Sequence, residues 1–472
     1  MNPESKSSRL QNFIDNPRKA LWTLSVPMMF GMMVQTVYMI VDMIFVGKIN
    51  AASLTALAFN MPLVFLGLGL IFGLGSGVTA VIAQFIGAGD KRSADNSAEH
   101  AVVLGVVCAI FITFVGLRWG EQMLVLLGVP ETILPLAWNY FKVMASGYIF
   151  VVLSIFFRSI LSGEGDMKTP MVIQGSGTIL NIILDPIFIF VFHMGVKGAA
   201  IATIMSQAVV CLIYIYLLFV KEHAYIRFAM KDFHFSQTIL AKIFKIGLPA
   251  SFSMIIMSLG GGAFNRILVS FSSDAVAAYQ AAARIDHIFL MPVISITTGL
   301  VTLVGMFYGA KRMNLLRKII FYGMSRSALI GIFLGTLFFI FARPLMGMFT
   351  EDTSIINLGA QYLRYIVFAY PFIAIGMTSG RVLQGLGFGM PLLILTFLRV
   401  LAISVSLAYL FVFIMGKSIE WVWIAMIISV ILSSGVSIIW LRFKLGTIER
   451  KVEVKQPEAI VPEMISSIPF GE

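Results

Sequence analysis

The stretch Phe85-Ile-Gly-Ala88 returns 222 residues later as Phe307-Tyr-Gly-Ala310, and each copy closes a long apolar run just before a short basic loop. Three further pairs of stretches keep the same offset. They are Leu24-Ser-Val-Pro27 with Ile246-Gly-Leu-Pro249, Tyr140-Phe-Lys142 with Tyr362-Leu-Arg364, and Gly163-Glu-Gly165 with Gly385-Leu-Gly387. Four matches in one register indicate that the chain is a tandem repeat of one structural unit.

Each unit consists of apolar runs long enough to cross a hydrocarbon core about 30 Å thick. We predict twelve such runs in the 472 residues, six in each unit. They cover residues 20–46, 53–82, 99–118, 135–157, 171–193, 198–220, 243–271, 275–305, 319–342, 359–380, 391–414 and 420–441. The pattern predicts an all-α integral membrane protein with twelve transmembrane helices.

The composition agrees with an exterior that faces lipid. Charged residues make up 12% of the chain and hydrophobic residues 59%, whereas a soluble globular protein carries roughly 25% charged residues. The net charge of +11 does not indicate nucleic acid, because most basic residues flank the apolar runs. Cys108 and Cys211 lie inside apolar runs, which predicts neither a disulfide nor a metal pair.

Lysine and arginine predict the orientation. With the N-terminus in the cytoplasm, 23 of these residues fall on the cytoplasmic side and five in the outer loops. Cytoplasmic loops of membrane proteins carry such an excess. We therefore expect a multi-pass protein of the cell (plasma) membrane, in contact with the lipid bilayer, with both termini cytoplasmic.

An even number of helices per unit makes both units enter the membrane from the same side. Such units are related by an axis along the membrane normal, which predicts two six-helix lobes around a central cavity. The predicted organisation is a cytoplasmic N-terminal segment (1–19), an N-lobe (20–220), a cytoplasmic linker (221–242), a C-lobe (243–441) and a cytoplasmic tail (442–472).

Ionisable side chains at membrane depth are costly, so each one is a candidate functional residue. Asp42 lies in the outer part of the first run. Tyr38 and Gln35 precede it by one and two turns and share its helical face. This face is the first candidate site.

The fifth run supplies a second candidate site. Thr178, Asn181 and Asp185 are spaced so that they share one helical face. Pro186 follows the aspartate and, lacking an N–H, leaves the carbonyl of Ile182 without its usual donor. The hydroxyl, amide, carboxylate and free carbonyl oxygens of this helix together predict a site for Na⁺ or a proton. Hydrogen bonding between helices is the alternative explanation, and for Thr178, Ser206 and Gln207 it is the favoured one.

The second unit carries other charged residues: Arg266, Arg284 and Asp286. Arg284 and Asp286 are two positions apart and do not share a helical face, so we expect each to have partners on other helices. No acid of the first unit recurs after 222 residues, where Phe264 and Leu407 stand instead. Cation coupling is therefore expected in the N-lobe.

These residues and the repeat resemble the multidrug and toxic compound extrusion (MATE) family. The chain is most similar to the DinF-like, archaeal-type branch of the multidrug/oligosaccharidyl-lipid/polysaccharide flippase superfamily. The resemblance covers about residues 15–445. It is carried by Pro27 with Gln35, Tyr38 and Asp42, by Ile160-Leu-Ser-Gly-Glu-Gly-Asp166, by Asn181-Ile-Ile-Leu-Asp-Pro-Ile-Phe188 and by Gly198-Ala-Ala-Ile-Ala-Thr203.

The resemblance implies a V-shaped monomer that alternates between outward- and inward-open states and extrudes cationic or amphipathic compounds in exchange for H⁺ or Na⁺. It implies no cofactor other than that ion. The implied cation-coupling residues are Asp42, Asp185, Asn181, Tyr38 and Thr203. Na⁺ would bind at Asp42, Asp185 and Asn181, while Gln35 and the two aspartates would line the substrate cavity.

Arg158 is a departure from the family pattern, because some archaeal members carry Asn at this position. A cation close to the site would weaken Na⁺ binding, whereas an arginine at the cytoplasmic end of its helix would not reach the site. Both H⁺ and Na⁺ therefore stay open as coupling ions.

Two other classes of function agree less well with the sequence. A lipid-linked oligosaccharide flippase would use a cationic cavity, for which Arg158, Arg266 and Arg284 are candidates, but the acidic first lobe argues against an anionic cargo. An enzyme or an ATP-driven pump would need a catalytic cluster or a phosphate loop, and the sequence has no His-Glu-x-x-His and no Gly-x-x-x-x-Gly-Lys-Ser/Thr. We predict a secondary transporter that is not an enzyme.

Overall fold

The computed structural model describes residues 4–47, 49, 51–228 and 233–454. These residues form a bundle of long helices with π-helical turns at Ile187–Val191, Tyr216–Val220, Leu398–Val405 and Leu410–Ile414. The helices are α1 (Glu4–Asp15), α2 (Pro17–Gly47), α3 (Ala51–Gly87), α4 (Lys91–Leu126), α5 (Leu134–Ser146), α6 (Tyr148–Gly163), α7 (Lys168–Pro186), α8 (Gly195–Ile215), α9 (Gln237–Val269), α10 (Ser273–Gly309), α11 (Met313–Ile340), α12 (Ala342–Gly347), α13 (Thr353–Ile366), α14 (Tyr370–Gly385), α15 (Met390–Phe397), α16 (Ser406–Tyr409) and α17 (Glu420–Val454).

The predicted all-helical membrane fold is confirmed. Among the described residues, eleven helical spans are long and apolar enough to cross a membrane, and α5 with α6 forms a twelfth that is bent by 49°. The bend falls at Gly147, which packs so tightly on Ile204 that a Cβ atom would overlap it. The chain is therefore an all-helical protein with two sets of six spans.

Several helices are longer than the predicted apolar runs, because polar residues continue the helix beyond the membrane segment. The N-terminal segment contains the helix α1, which is too polar to appear in a search for apolar runs. Helix α9 begins at Gln237, six residues before the predicted start, where the Ser236 side chain accepts a hydrogen bond from the N–H of Ile239. Helix α17 extends to Val454.

The two lobes pack through their first two spans. Helix α3 of the N-lobe contacts α9 of the C-lobe, and α10 of the C-lobe contacts α2 of the N-lobe. Small residues let the backbones approach closely, as membrane helices commonly require. At Gly247, for example, a Cβ atom would lie 2.7 Å from the Cα of Leu74.

The tightest contact between the lobes lies at one end of the bundle, here called the basic end, where α3 ends at Gly87 and α10 ends at Gly309. A Cβ atom on Gly87 would overlap the carbonyl oxygen of Met306, and one on Gly309 would overlap that of Gln84. The two glycines occupy equivalent positions in the sequence repeat. We call this contact the interlobe seam.

Hydrogen bonds across the lobes reinforce the seam. The Gln84 side-chain amide donates to the carbonyl of Gly385 at 2.8 Å. The Thr302 hydroxyl donates to the carbonyl of Ser162 at 2.9 Å. Both acceptors lie at the ends of helices, at the last residue of α14 and the second-last residue of α6, so these bonds tie the helix ends of one lobe to the other lobe.

Burial falls steeply away from the seam. In the half of α3 nearest the basic end, Val78 and Ala80 are fully buried, whereas Phe65 and Leu66 in the other half are 56% and 50% exposed. In α10, Leu300 is fully buried and Ile288 is 48% exposed. The core that both lobes share lies at the basic end, whereas towards the opposite end each lobe packs around a core of its own. This separation of the cores agrees with the two predicted lobes.

Adding a methyl group to the seam should separate the lobes. We expect Gly87→Ala and Gly309→Ala each to destabilise the closed basic end by about 1–3 kcal/mol, because the new Cβ meets backbone that cannot rotate away. Distances between spin labels at the exposed positions Arg92 and Arg312 would lengthen. Gly435→Ala in α17, whose Cβ meets open space, is the matched control. Unchanged distances in both seam variants would contradict the role of the seam.

Candidate functional site

One face of α7 carries three buried polar side chains. Thr178, Asn181 and Asp185 are 6%, 4% and 0% exposed. The Asn181 amide nitrogen donates to an oxygen of the Asp185 carboxylate at 3.2 Å. The structure thus brings together two of the residues predicted for the cation site.

Close packing of α8 on α7 encloses this face. Gly177 leaves no room for a Cβ atom against Val210 of α8. A Cβ atom at Gly198 would lie 2.7 Å from the backbone of Phe188, just beyond the end of α7. These two glycines therefore set the distance between the two helices.

The end of α7 changes its hydrogen-bond pattern directly after the aspartate. Pro186 cannot donate to the carbonyl of Ile182, and the chain continues as a π-helical turn from Ile187 to Val191. In that turn the N–H of Phe192 donates to the carbonyl of Ile187 at 2.9 Å. Such wide turns inside membrane helices are common at functional sites.

Helix α8 adds hydroxyl groups close to this region. The Thr203 hydroxyl donates to the carbonyl of Ala199 at 3.0 Å, so its oxygen lone pairs stay available to accept or coordinate. Ser206 is 1% exposed, and its hydroxyl has no hydrogen-bond partner in the described part of the chain. The sequence favours hydrogen bonding between helices for Ser206. Because its hydroxyl is buried without a described partner, it is a further candidate to donate a hydrogen bond within this site.

Helix α2 carries the other predicted residues and packs directly on α7. Gly31 of α2 faces Met171 of α7, with 3.6 Å between a Cβ atom on the glycine and the methionine Cγ. Gln35 is partly exposed one turn further along α2. Tyr38 and Asp42 follow in the same helix, but their side chains lie outside the described residues.

Arg158 lies within α6, five residues before the helix ends at Gly163, and so inside a membrane span rather than in a loop. Its guanidinium stands over the ring of Phe72 at 5.2 Å from the centroid. It also interacts electrostatically with the buried Tyr214. Arg158 is thus a helix residue in the last two turns of α6, and its place on the cytoplasmic side stays a prediction.

The C-lobe has a carboxylate of its own with defined partners. The hydroxyl of Tyr362 donates to one oxygen of Asp286 at 2.6 Å, and that of Tyr370 donates to the other at 2.5 Å. Both tyrosines are buried and lie on α13 and α14. The expectation that Asp286 has partners on other helices is confirmed, and the partners themselves were missed.

Removing one of these donors should destabilise the C-lobe. We expect Tyr370→Phe to cost about 1.5–3 kcal/mol, because it leaves a carboxylate oxygen inside the bundle without its donor. The apparent melting temperature of the purified protein would fall. Tyr409→Phe, at a position that is 54% exposed, should have no effect. Equal melting temperatures for both variants would contradict the assignment.

At the basic end, the loop that follows α6 holds two other segments. The Glu164 carboxylate accepts from the backbone N–H groups of Tyr225 and Ile226, at 2.8 Å and 3.3 Å. Arg9 of α1 lies 3.6 Å from both Glu164 and Asp166. The Gly-Glu-Gly-Asp stretch that carried the family resemblance is thus the anchor for α1 and for the linker between the lobes.

Burial raises the pKa of Glu164 from 4.5 to about 7, and the charge of Arg9 opposes that shift. A carboxyl group with a raised pKa stabilises the folded arrangement when it is protonated. Docking of the linker is therefore strongest below the ordinary pKa and weakens as the pH rises through about 7.

This pH dependence can be measured by hydrogen exchange. We expect the amides of Tyr225 and Ile226, after correction for intrinsic rates, to lose protection as the pH rises through about 7. Glu164→Gln keeps an acceptor oxygen and cannot ionise, so its protection should be flat over this range. Asp90→Asn serves as the control for an exposed acid. A pH-dependent loss that persists in Glu164→Gln would refute the role of Glu164.

Twelve spans in two lobes, a closed seam at one end and a buried carboxylate–amide pair in one lobe define a polytopic helical membrane protein with the architecture of a transporter. The MatE family model matches the chain twice, over residues 27–187 and 249–410. The two matches begin 222 residues apart, which is the offset of the sequence repeat.

Individual relatives and solved structures agree with this match. A probable multidrug resistance protein NorM of Thermotoga maritima is 27% identical over 90% of this chain and 92% of its own. The multidrug export protein MepA of Staphylococcus aureus is 27% identical over 81% and 85%. A solved outward-facing conformation of a MATE family transporter is 32% identical over 92% and 97%, with a TM-score of 0.88. A MATE structure in a bent conformation is 31% identical over 94% and 99%, with a TM-score of 0.90.

The chain belongs to the MatE family, and the resemblance drawn from its sequence is confirmed. Its place in the DinF-like, archaeal-type branch stays a prediction.

Proposed function

We propose that this protein is a secondary multidrug efflux transporter, which exports cationic or amphipathic compounds in exchange for H⁺ or Na⁺. The relatives described as multidrug resistance or multidrug export proteins support this assignment. The observation that carries the coupling is the buried pair of Asn181 and Asp185 inside a membrane span of the N-lobe. An ionisable side chain inside a membrane span is costly to keep there, so it is a default candidate for binding a proton or a small cation.

The described conformation supports alternating access. If the basic end faces the cytoplasm, as the lysine and arginine distribution predicts, the seam closes the cytoplasmic side and the cavity opens outwards. Cation binding at Asp185 would change the charge on α7, and α2 packs directly on that helix. We infer that α2, which carries Gln35, Tyr38 and Asp42, transmits this change to the substrate cavity.

The residues predicted for the cation site would determine which ion is exchanged. Asp42, Asp185, Asn181, Tyr38 and Thr203 would hold Na⁺ or take up a proton. Arg158 is proposed as a modulator that acts from a distance, because its guanidinium stands over the ring of Phe72. No other cofactor is proposed.

The protein is further proposed to act as a monomer of the cell membrane with both termini cytoplasmic, without enzymatic activity and without a nucleic-acid partner. The lipid-linked oligosaccharide flippase has less support. The relatives carry multidrug names, and the membrane span of the candidate site contributes a buried acid rather than a cation.

Efflux of ethidium from proteoliposomes tests this function. We expect the purified protein to export the dye under an imposed Na⁺ gradient or an imposed pH gradient, and the gradient that works identifies the ion. Asp185→Asn should reduce gradient-driven efflux to the level of empty liposomes, because the amide cannot carry the exchanged charge. Glu351→Gln, at an exposed position, should transport normally. Full gradient-driven efflux by Asp185→Asn would exclude this coupling mechanism, and no efflux under either gradient would exclude the antiporter.

A further inference from the structure

Two arginines from opposite lobes flank one tyrosine ring. Arg18 of α2 has its guanidinium carbon 5.3 Å from the centroid of the Tyr322 ring, and Arg326 of α11 has its own 5.0 Å away. Helix α2 belongs to the N-lobe and α11 to the C-lobe, so the cluster lies where the two lobes meet laterally. Nothing in the proposed transport mechanism uses these residues.

The cluster concentrates positive charge without a carboxylate to balance it. Arg18 and Arg326 are both exposed, and neither forms an ion pair with any described acidic side chain. An anion bound beside two guanidiniums on one ring would offset their positive charge. Guanidinium groups match phosphate oxygens particularly well, because they donate in a planar fork.

The cluster lies at the depth where lipid headgroups are found. Arg18 is in the first turn of α2, and Trp22, one turn further on, donates from its indole nitrogen to the Tyr322 hydroxyl at 3.0 Å. Tryptophan and tyrosine collect at membrane interfaces. Arg326 follows Tyr322 by one turn, and its long side chain reaches back towards the basic end because helical side chains tilt that way.

Apolar side chains continue from the cluster towards the centre of the membrane. Leu329 and Phe333 follow Arg326 by three and seven positions on α11 and are 50% and 68% exposed. This spacing keeps them on the face of Arg326. The surface therefore presents two cations beside an apolar stripe, which matches a phosphate attached to acyl chains.

We propose that Arg18 and Arg326 bind the phosphate of an anionic phospholipid in the leaflet at the basic end, with its acyl chains along Leu329 and Phe333. The bound lipid bridges the two lobes, so it stabilises the conformation in which the interlobe seam is closed. This site is independent of Asn181 and Asp185, and its existence does not depend on which ion drives transport.

Native mass spectrometry of the full-length protein in detergent tests the site. Phosphatidylglycerol is titrated against phosphatidylcholine, and we expect one phosphatidylglycerol to be retained selectively by the unmodified protein. Arg18→Gln/Arg326→Gln should bind it about tenfold more weakly or worse, because two cations near an anionic surface are lost. Arg312→Gln/Lys318→Gln removes two exposed cations from the same end of α11 and should bind normally.

Three results would overturn the proposal. The first is equal phosphatidylglycerol retention by the unmodified protein and Arg18→Gln/Arg326→Gln, with both folded to the same melting temperature. The second is an equal loss in the control variant, which would indicate general charge attraction. The third is displacement of the lipid by inorganic phosphate at equal concentration, which would identify free phosphate as the ligand.

Discussion

The contact of Gly87 and Gly309 with the opposite backbones holds the two lobes together at one end of the molecule. A methyl group on either residue would overlap a carbonyl oxygen of the other lobe, so this approach of α3 and α10 exists only because the two positions lack side chains. Gln84 and Thr302 then satisfy helix-terminal carbonyls across the same contact. The core shared by both lobes lies at this end, whereas towards the opposite end each lobe has a core of its own.

The two lobes solve the problem of a carboxylate inside a membrane protein differently. In the N-lobe, Asp185 is fully buried and accepts from a neighbouring amide on its own helix, in a region where the helix changes to a π-helical turn. In the C-lobe, Asp286 accepts from two tyrosine hydroxyls on other helices, which fix its position. The first arrangement leaves a role for a mobile cation, whereas the second ties α10 to α13 and α14. We propose that divergence of the repeat separates cation exchange in the N-lobe from structural support in the C-lobe.

The sequence predicted the parts of the structure that depend on local patterns. Hydropathy and the offset between Gly87 and Gly309 predict twelve spans in two equivalent lobes, and helical spacing predicts that Asn181 faces Asp185. Hydropathy could not find α1, because a polar helix has no apolar run, nor the bend at Gly147, which is caused by packing on Ile204. The partners of Asp286 lie 76 and 84 residues away, and no local pattern links them. The same holds for Arg18 and Tyr322, which come together only when the lobes pack.

We propose that occupation of the N-lobe site by a cation changes the separation of the lobes. The most direct measurement is the distance between spin labels at Glu131 and Glu351, two exposed positions on the end of the bundle opposite the seam. It is recorded as the pH is lowered or Na⁺ is added. We expect one of these ions to shift the distance distribution in the unmodified protein. In Asp185→Asn the same ion should leave the distribution unchanged. The same shift in both proteins would contradict the account.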